Sequence, residues 1–122
     1  MSPEIVIADD DDTIRELVEF KLRTAGHDIT AFENGQDCWH HLQDANPPDG
    51  IVLDVMMPGM TGLQVLERIR DDDDLGDVPV IILTSRGREE HVIEGLETGA
   101  TEYMTKPFSP NELLARVNRQ VG

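Results

Sequence analysis

Ile5-Val6-Ile7-Ala8-Asp9-Asp10 is a short apolar run that ends in two carboxylates, and two later apolar runs end in one carboxylate and one hydroxyl residue. They are Ile51-Val52-Leu53-Asp54 and Val80-Ile81-Ile82-Leu83-Thr84, while Tyr103-Met104-Thr105-Lys106 ends in an ammonium group. Short apolar runs separated by helical patterns are typical of buried parallel strands. Because the sites of open α/β sheets lie just beyond the carboxyl ends of the strands, we expect these polar side chains to meet at one edge. Three carboxylates, one hydroxyl and one ammonium suit a divalent cation and a phosphoryl group.

The pattern along the chain alternates between strand and helix five times. Strands are predicted over 4–8, 28–32, 50–53, 79–83 and 101–104, and helices over 12–25, 35–45, 62–71, 88–98 and 110–121. Gly26 and Gly99 fit the left-handed position after a helix, and Ser109-Pro110 supplies an N-cap followed by proline at the first helical position. The alternation predicts an α/β fold with a doubly wound, five-stranded parallel sheet flanked by five helices, in a single domain over residues 1–122.

The composition is that of one globular domain. With 122 residues and 39% hydrophobic content, the chain is long enough to bury a core. It contains no run of about 18 apolar residues and no basic-then-apolar leader, so we expect neither a membrane partner nor a signal peptide. The single cysteine, Cys38, excludes an internal disulfide and a cysteine metal cluster, which favours a cytoplasmic location.

The net charge of −15 is extreme for a chain of this length. It argues against direct binding of nucleic acid by this domain, because such binding uses a basic face. Asp71 to Asp74 follow Arg70 at the predicted end of a helix, where the macrodipole disfavours anions by about 0.3–1 kcal/mol each at low salt. Adaptation to high salt would explain this composition, and a solvated acidic face on an ordinary protein is the alternative.

Asp9, Asp10 and Asp54 form the sharpest candidate site. Their ligand atoms are oxygens, with no histidine or cysteine nearby in the sequence, which suits Mg²⁺ (or Mn²⁺ as the alternative ion) better than Zn²⁺. Three carboxylates brought together raise at least one pKa unless a cation binds. One carboxylate could also be a nucleophile that forms an aspartyl phosphate. The presence of Asp11 or Asp12 can be explained without a metal site, by an N-cap and acids in the first helical turn. This alternative does not explain Asp54, which lies on a separate strand.

Lys106 and Thr84 are the candidate partners of a phosphoryl group. Lys106 is one of only two lysines in the chain and precedes Pro107 at a predicted strand end. A lysine held there neutralises a phosphoryl oxygen as a point charge, whereas an ordinary surface lysine is the alternative. Thr84 can donate one hydroxyl hydrogen bond to the same group, although threonine is common in strands for other reasons.

The chain resembles the receiver domain of two-component response regulators over essentially its full length. Four motifs match that family in order and spacing: Asp9-Asp10, Asp54-Val55-Met56-Met57-Pro58-Gly59-Met60-Thr61-Gly62, Thr84-Ser85 and Lys106-Pro107-Phe108. The resemblance implies a flavodoxin-like fold with strand order 2-1-3-4-5. It also implies a phosphoprotein that takes part in phosphorelay signal transduction.

The resemblance further implies a role for each site residue. Asp54 would accept a phosphoryl group from the phosphohistidine of a sensor histidine kinase. Asp10 and Asp54 would bind Mg²⁺ directly, with the backbone carbonyl of Met56 as a third ligand and Asp9 acting mostly through water. Transfer would be in line and helped by positioning and charge. The chain would thus promote its own phosphorylation and dephosphorylation without being an enzyme that acts on other substrates.

Lys106 would pair with the acyl phosphate in such a site. Thr84 would move toward the phosphate, and Tyr103 would move inward with it as the second switch residue. The Lys106–Pro107 peptide bond is expected to be cis in this family. Two further positions tune the site, one two residues past the aspartate and one two residues past the threonine; they are Met56 and Arg86.

The fourth predicted helix, the fifth strand and the fifth helix form the surface that phosphorylation would switch. Residues here resemble the winged-helix transcription-regulator branch of the family, which dimerises through this surface by crossed salt bridges. Glu102, Glu112 and Arg116 fit that pattern, so a homodimer is one expected assembly. Glu94 departs from it, because a basic residue is expected there to meet Glu112, and two acids repel each other.

Two other functions have to be weighed against a phosphorylated receiver. An aspartate-nucleophile phosphatase also forms an aspartyl phosphate, but such enzymes usually place a second acid where this chain has Met56. A constitutive, unphosphorylated receiver-like interaction module is the other alternative, and the intact motif set argues against it. The sequence leaves open whether the receiver acts on a separate downstream protein, ending near Gly122, or continues into a basic DNA-binding output domain.

The four histidines are not expected to form a site. His40 and His41 are adjacent on the second predicted helix and point about 100° apart, which makes them poor ligands for one metal ion. His27 and His91 are isolated in the sequence, and we expect both to be exposed.

The high-salt hypothesis predicts that added salt stabilises the protein. Because the Debye length falls to about 3 Å near 1 M salt, screening reduces the repulsion among acidic side chains. The melting temperature, followed by circular dichroism, should therefore rise between dilute buffer and molar potassium chloride. A melting temperature that stays flat or falls would count against adaptation to high salt and favour the solvated acidic face.

Overall fold

The computed structural model describes residues 2–85 and 99–121 of the chain. Five strands form one sheet in the order β2-β1-β3-β4-β5, and every neighbouring pair is parallel. Along the chain they are β1 (Glu4–Ala8), β2 (Asp28–Phe32), β3 (Gly50–Asp54), β4 (Val80–Ser85) and β5 (Glu102–Lys106). The predicted flavodoxin-like parallel sheet and its strand order are confirmed, and β1 and β2 have the predicted bounds.

Four helices lie within the described ranges: α1 (Asp12–Thr24), α2 (Gly35–Asp44), α3 (Gly62–Asp71) and α4 (Pro110–Val121). The last is the fifth predicted helix, and the helix predicted over 88–98 lies outside the described residues. The first three begin at side chains that accept hydrogen bonds from the backbone N–H groups of the first turn; these N-caps are Asp11, Asn34 and Thr61. None of the four is both long and apolar enough to cross a membrane.

Apolar side chains form a core on each face of the sheet. Because successive residues of a strand point to opposite faces, Val6 and Ala8 join one core while Ile5 and Ile7 join the other. The first core contains the buried side chains of α2 and α3, and the second contains those of α1 and α4. Burial on both faces explains why β1, β3 and β4 read as apolar runs in the sequence.

Strands β3, β4 and β5 continue further toward their carboxyl ends than the sequence predicted. The predicted ranges stopped at residues 53, 83 and 104, whereas the strands end at Asp54, Ser85 and Lys106. The prediction followed the apolar pattern, but the ladder continues through polar residues, pairing Asp54 with Leu83 and Ser85 with Lys106. The polar side chains of interest therefore belong to the sheet itself, where hydrogen bonding between strands fixes their backbone.

His27 is buried, so the expectation that it is exposed is wrong. Its side chain lies beneath α4, where Nε2 is 2.8 Å from Oδ1 of Asn118. Gly26, with φ of 96°, turns the chain from α1 toward β2 immediately before it. A contact between residues far apart in the sequence thus buries a side chain whose local context looked exposed. His91 lies outside the described residues.

Two glycines let the backbone that follows β3 pass directly against the starts of α2 and α3. A Cβ atom at Gly62 would lie 2.1 Å from the carbonyl oxygen of Asp54, and one at Gly35 would lie 1.9 Å from that of Met60. The N–H of Gly62 also donates to the carbonyl oxygen of Val55 at 2.9 Å. These close contacts fix the direction in which the chain leaves β3.

Replacing Gly62 by alanine tests this contact. Alanine ordinarily stabilises a helix relative to glycine by about 0.5–1 kcal/mol, but here its methyl group would collide with backbone atoms. We expect Gly62→Ala to lower the free energy of unfolding by about 1–3 kcal/mol, as overpacking does elsewhere. Urea unfolding measures the change, and Glu67→Ala on the exposed side of α3 is the control. A Gly62→Ala protein as stable as wild type would show that this contact does not constrain the fold.

Candidate functional site

Three carboxylates converge at the carboxyl edge of the sheet. Asp54 is the last residue of β3, and Asp9 and Asp10 directly follow β1, the neighbouring strand. Each offers an oxygen, and these oxygens lie within 4.8 Å of one another. Asp9 and Asp54 are buried, whereas Asp10 is exposed. The fold thus holds three carboxylates together, and solvent reaches the cluster from the side of Asp10.

Lys106 supplies a positive charge to this cluster from the end of β5. Its Nζ lies 2.9 Å from Oδ2 of Asp9 and 3.3 Å from Oδ1 of Asp54. Burial acts to lower the pKa of the Lys106 ammonium, but its hydrogen bond to Asp9 and the charges of Asp54 and Asp9 outweigh burial and raise that pKa. The ammonium therefore stays charged and bridges the two buried carboxylates.

Asp9 is held on every side by the surrounding chain. Besides the bond from Lys106, its Oδ1 accepts a hydrogen bond of 2.9 Å from the N–H of Asp11. Its own N–H donates to the carbonyl oxygen of Phe32 in β2 at 3.1 Å. Both carboxylate oxygens of Asp9 therefore already accept a hydrogen bond.

The pKa of the Asp54 carboxyl lies well above the ordinary value for an aspartate. Burial and the charge of Asp9 raise the pKa of the Asp54 carboxyl to about 7, with Lys106 opposing them and Asp10 adding to them. Because of burial and these neighbouring charges, part of the Asp54 carboxyl is protonated at neutral pH. A divalent cation bound beside it would favour the ionised form.

The donor set fits a hard divalent cation such as Mg²⁺. The three carboxylates provide oxygen ligands, and the exposed side at Asp10 leaves room for the water molecules that Mg²⁺ usually keeps. Met56 lies in the loop just after Asp54, and its side chain is 44% exposed. Met56 stands two residues after Asp54 in the chain.

Thr84 carries a buried hydroxyl with unused hydrogen-bonding capacity. It lies in β4 between Asp54 and Lys106 in the strand order, and within the described part of the chain its Oγ1 has no hydrogen-bond partner. A buried polar atom left unpaired ordinarily costs about 1–3 kcal/mol, so such an atom calls for an explanation. An acceptor bound beside Asp54 would provide the missing partner.

The remaining predicted site residues lie in different places. Tyr103 is on β5 and its side chain is 39% exposed, so it points out of the core. Arg86 lies outside the described residues. The Lys106–Pro107 peptide bond is cis, as the resemblance implied.

Residues of the expected dimer surface bond to one another within the chain. Arg116 on α4 lies 2.9 Å from Glu112 and 3.4 Å from Glu102, and it donates to the carbonyl oxygen of Tyr103 at 3.1 Å. Glu102 also accepts hydrogen bonds from Arg119 and Gln120. Although burial alone would raise it, these hydrogen bonds and the neighbouring arginine charges lower the pKa of Glu102.

Sequence reasoning missed two residues that shape the site. Gly35 admits the loop after Asp54, but its contact with Met60 has no local sequence signal. Arg15 donates to the carbonyl oxygen of Asp9 at 2.9 Å, and as a charged residue on an amphipathic helix it looked like a surface side chain. Neither contact could be read without the packed structure.

Comparison with known proteins places the site in a family. The chain matches the family model described as the response regulator receiver domain over residues 5–118. It is 43% identical over 113 residues to the phosphate regulon transcriptional regulatory protein PhoB of Pseudomonas aeruginosa. This match covers 93% of this chain and 49% of that protein. It is 42% identical over 118 residues to the DNA-binding dual master transcriptional regulator RpaA of Synechocystis, covering 94% and 47%. The chain therefore spans about half the length of these curated relatives.

Solved structures agree with this assignment. A putative response regulator from Chloroflexus aurantiacus superposes with a TM-score of 0.93 at 34% identity, covering 99% of this chain and 98% of that one. The chemotaxis response regulator CheY4 of Vibrio cholerae gives 0.90 at 31% identity, with 98% of both chains covered. The receiver domain of sensor histidine kinase PA1611 from Pseudomonas aeruginosa, solved with a magnesium ion in its active site cleft, gives 0.90 at 25% identity, covering 100% and 99%.

The raised pKa of Asp54 predicts that removing its charge stabilises the metal-free protein. Between the ordinary aspartate pKa near 4 and about 7, the folded state binds a proton at Asp54 that the unfolded state does not. Wild-type stability therefore falls as the pH rises through this window. In EDTA, Asp54→Asn should be more stable than wild type by on the order of 2 kcal/mol at pH 8, since the lost contact with Lys106 offsets part of the gain.

The advantage of Asp54→Asn should be smaller at pH 5 than at pH 8, as measured by urea unfolding at both values. Asp44→Asn, at an exposed position on α2, is the control and should show no such difference. An Asp54→Asn protein no more stable than wild type at pH 8 would contradict the raised pKa.

Proposed function

We propose, since the chain belongs to the response regulator receiver domain family, that Asp54 accepts a phosphoryl group from a sensor histidine kinase in a reaction that requires Mg²⁺. The observation that carries this proposal is the convergence of Asp9, Asp10 and Asp54 on one edge of the sheet, with Lys106 bonded to two of them. The magnesium ion named for the PA1611 receiver domain supports the same ion here.

The nucleophile in this reaction is a carboxylate oxygen of Asp54. It forms a bond to phosphorus as the bond from phosphorus to the histidine nitrogen breaks, and the imidazole keeps the electron pair. Asp10, Asp54 and the backbone carbonyl of Met56 would hold Mg²⁺, with Asp9 acting mainly through water. When bound, the ion neutralises charge on the phosphoryl oxygens and keeps Asp54 ionised.

Lys106 and Thr84 have separate tasks once the acyl phosphate forms. The Lys106 ammonium, already within 3.3 Å of Asp54, pairs with a phosphoryl oxygen. The Thr84 hydroxyl, which has no partner among the described residues, donates to another. Tyr103 then moves inward and changes the surface at β5 and α4, which shifts an equilibrium between two states. Met56 and Arg86 set how readily water attacks the phosphoryl group.

The surface that changes when Asp54 is phosphorylated acts on an output domain or a downstream protein, in the cytoplasm. Relatives named as transcriptional regulators are about twice as long as this chain, which supports an output domain elsewhere in the protein. A homodimer through this surface would require Arg116 to exchange its contacts with Glu102 and Glu112 inside the chain for contacts across the interface. The chain itself turns over no external substrate.

Mass spectrometry of the intact protein tests the phosphoacceptor role. After incubation with a small-molecule phosphodonor such as acetyl phosphate, wild type should gain one phosphoryl group with Mg²⁺ and none with EDTA. Asp54→Ala should gain none, while Asp44→Ala, an exposed acid away from the site, should behave as wild type. Absence of an adduct in both dilute and molar salt would contradict the proposal and favour a constitutive interaction module.

A further inference from the structure

Arg15 is a charged side chain beside the carboxylate cluster that the proposed reaction does not use. It lies on the first turns of α1, and its side chain is 16% exposed despite its charge. Its Nη1 donates to the backbone carbonyl oxygen of Asp9 at 2.9 Å, and its Nη2 donates to Oδ1 of Asp12 at 2.6 Å. The guanidinium therefore ties the loop that carries the acidic pair to the helix that follows it.

The contact to the Asp9 carbonyl has a geometric consequence for Asp10. The peptide unit that joins Asp9 to Asp10 is planar, so an oxygen held at one corner fixes the orientation of the whole unit. The N–H of Asp9 is held by Phe32, and its carboxylate is held by Lys106 and the N–H of Asp11. With Asp9 fixed this firmly, the bond from Arg15 leaves the backbone at Asp10 little freedom.

Asp10 needs such support because its own side chain is exposed at the rim of the cluster. Asp9 and Asp54 are buried and bonded to Lys106, whereas Asp10 is exposed and the backbone sets the direction in which its side chain leaves the chain. We propose that Arg15 is a positioning residue of the metal site, which aims the Asp10 carboxylate at the ion by fixing the Asp9–Asp10 peptide plane. This inference rests on the proposed Mg²⁺-dependent function.

The alternative role for Arg15 is simple compensation of negative charge. Within the described part of the chain, however, its hydrogen bonds reach a neutral carbonyl and Asp12, and Asp12 is not part of the cluster. The hydrogen bond and charge of Asp12, helped by Glu33 and Glu16, raise the pKa of Arg15. Its charge is thus balanced mainly outside the cluster.

The two roles predict opposite changes in Mg²⁺ affinity. Removing a cation beside a divalent ion strengthens binding if Arg15 acts through its charge. Loosening the loop weakens binding if Arg15 positions Asp10. Isothermal titration calorimetry with MgCl₂ on the full chain distinguishes these results. Each protein is titrated well below its own melting temperature in EDTA, so that the folded state is measured.

We expect Arg15→Gln to raise the dissociation constant for Mg²⁺ by about 10-fold or more, as the loss of groups that orient metal ligands does elsewhere. Arg15→Lys keeps the charge but lacks the planar fork that spans both acceptors, so its constant should lie between those of wild type and Arg15→Gln. Arg23→Gln is the matched control on the same helix. Arg23 donates to the carbonyl oxygen of Ile29, away from the cluster, and its loss should leave the constant unchanged.

Phosphorylation kinetics provide a second readout. The Mg²⁺ concentration that gives half the maximal rate should rise in Arg15→Gln, while the rate at saturating Mg²⁺ stays close to that of wild type. If Arg15 had a purely structural role, Arg15→Gln would lower the melting temperature but would change neither the dissociation constant for Mg²⁺ nor the Mg²⁺ concentration at half the maximal rate.

An Arg15→Gln protein that binds Mg²⁺ as tightly as wild type, or more tightly, overturns the positioning role and leaves the proposed function intact. If Arg15→Gln does not fold, Arg15→Lys decides, because a constant equal to that of wild type also overturns the role. Wild type that fails to bind Mg²⁺ overturns the proposed function, and this inference with it.

Discussion

The structure depends on the repulsion among the carboxylates of Asp9, Asp10 and Asp54. Three carboxylates lie at one edge of the sheet with one ammonium among them, so the ionised cluster carries two negative charges in excess. Burial of Asp9 and Asp54 removes the water that would otherwise screen this charge. Burial and then the charge of Asp9 raise the pKa of Asp54, so protonation of this carboxyl relieves part of the repulsion. A divalent cation would match the excess charge.

The sheet is what holds these groups in place. Asp54, Thr84 and Lys106 lie in three consecutive strands whose backbones are bonded to one another up to the site. The backbone after Asp54 is confined further by Gly62, which leaves no space between α3 and the end of β3. For the proposed phosphoryl transfer, this placement means that Asp54 and Lys106 already lie near the reacting group, and positioning and charge are the main contributions a protein makes to such a reaction.

The sequence was sufficient to predict the fold and the members of the carboxylate cluster. Each apolar run stopped at the residue that the structure places at the edge, because the carboxyl ends of parallel strands meet at the same edge of the sheet. The ends of β4 and β5 were wrong by two residues, because hydrogen bonding between strands continues past the last apolar side chain. His27 was wrong because its burial depends on Asn118, at the other end of the chain. The contacts of Gly35 and Arg15 were missed for the same reason, since close approach between segments leaves no local pattern.

The proposed function requires the cluster to exchange a proton for a divalent cation. Titration calorimetry with MgCl₂ in two buffers of different ionisation enthalpy measures the number of protons released on binding. With the pKa of Asp54 raised to about 7, binding at pH 6 should release most of one proton per ion, and binding at pH 8.5 should release much less. Binding at pH 6 without proton release, or no binding at either pH, would contradict the account.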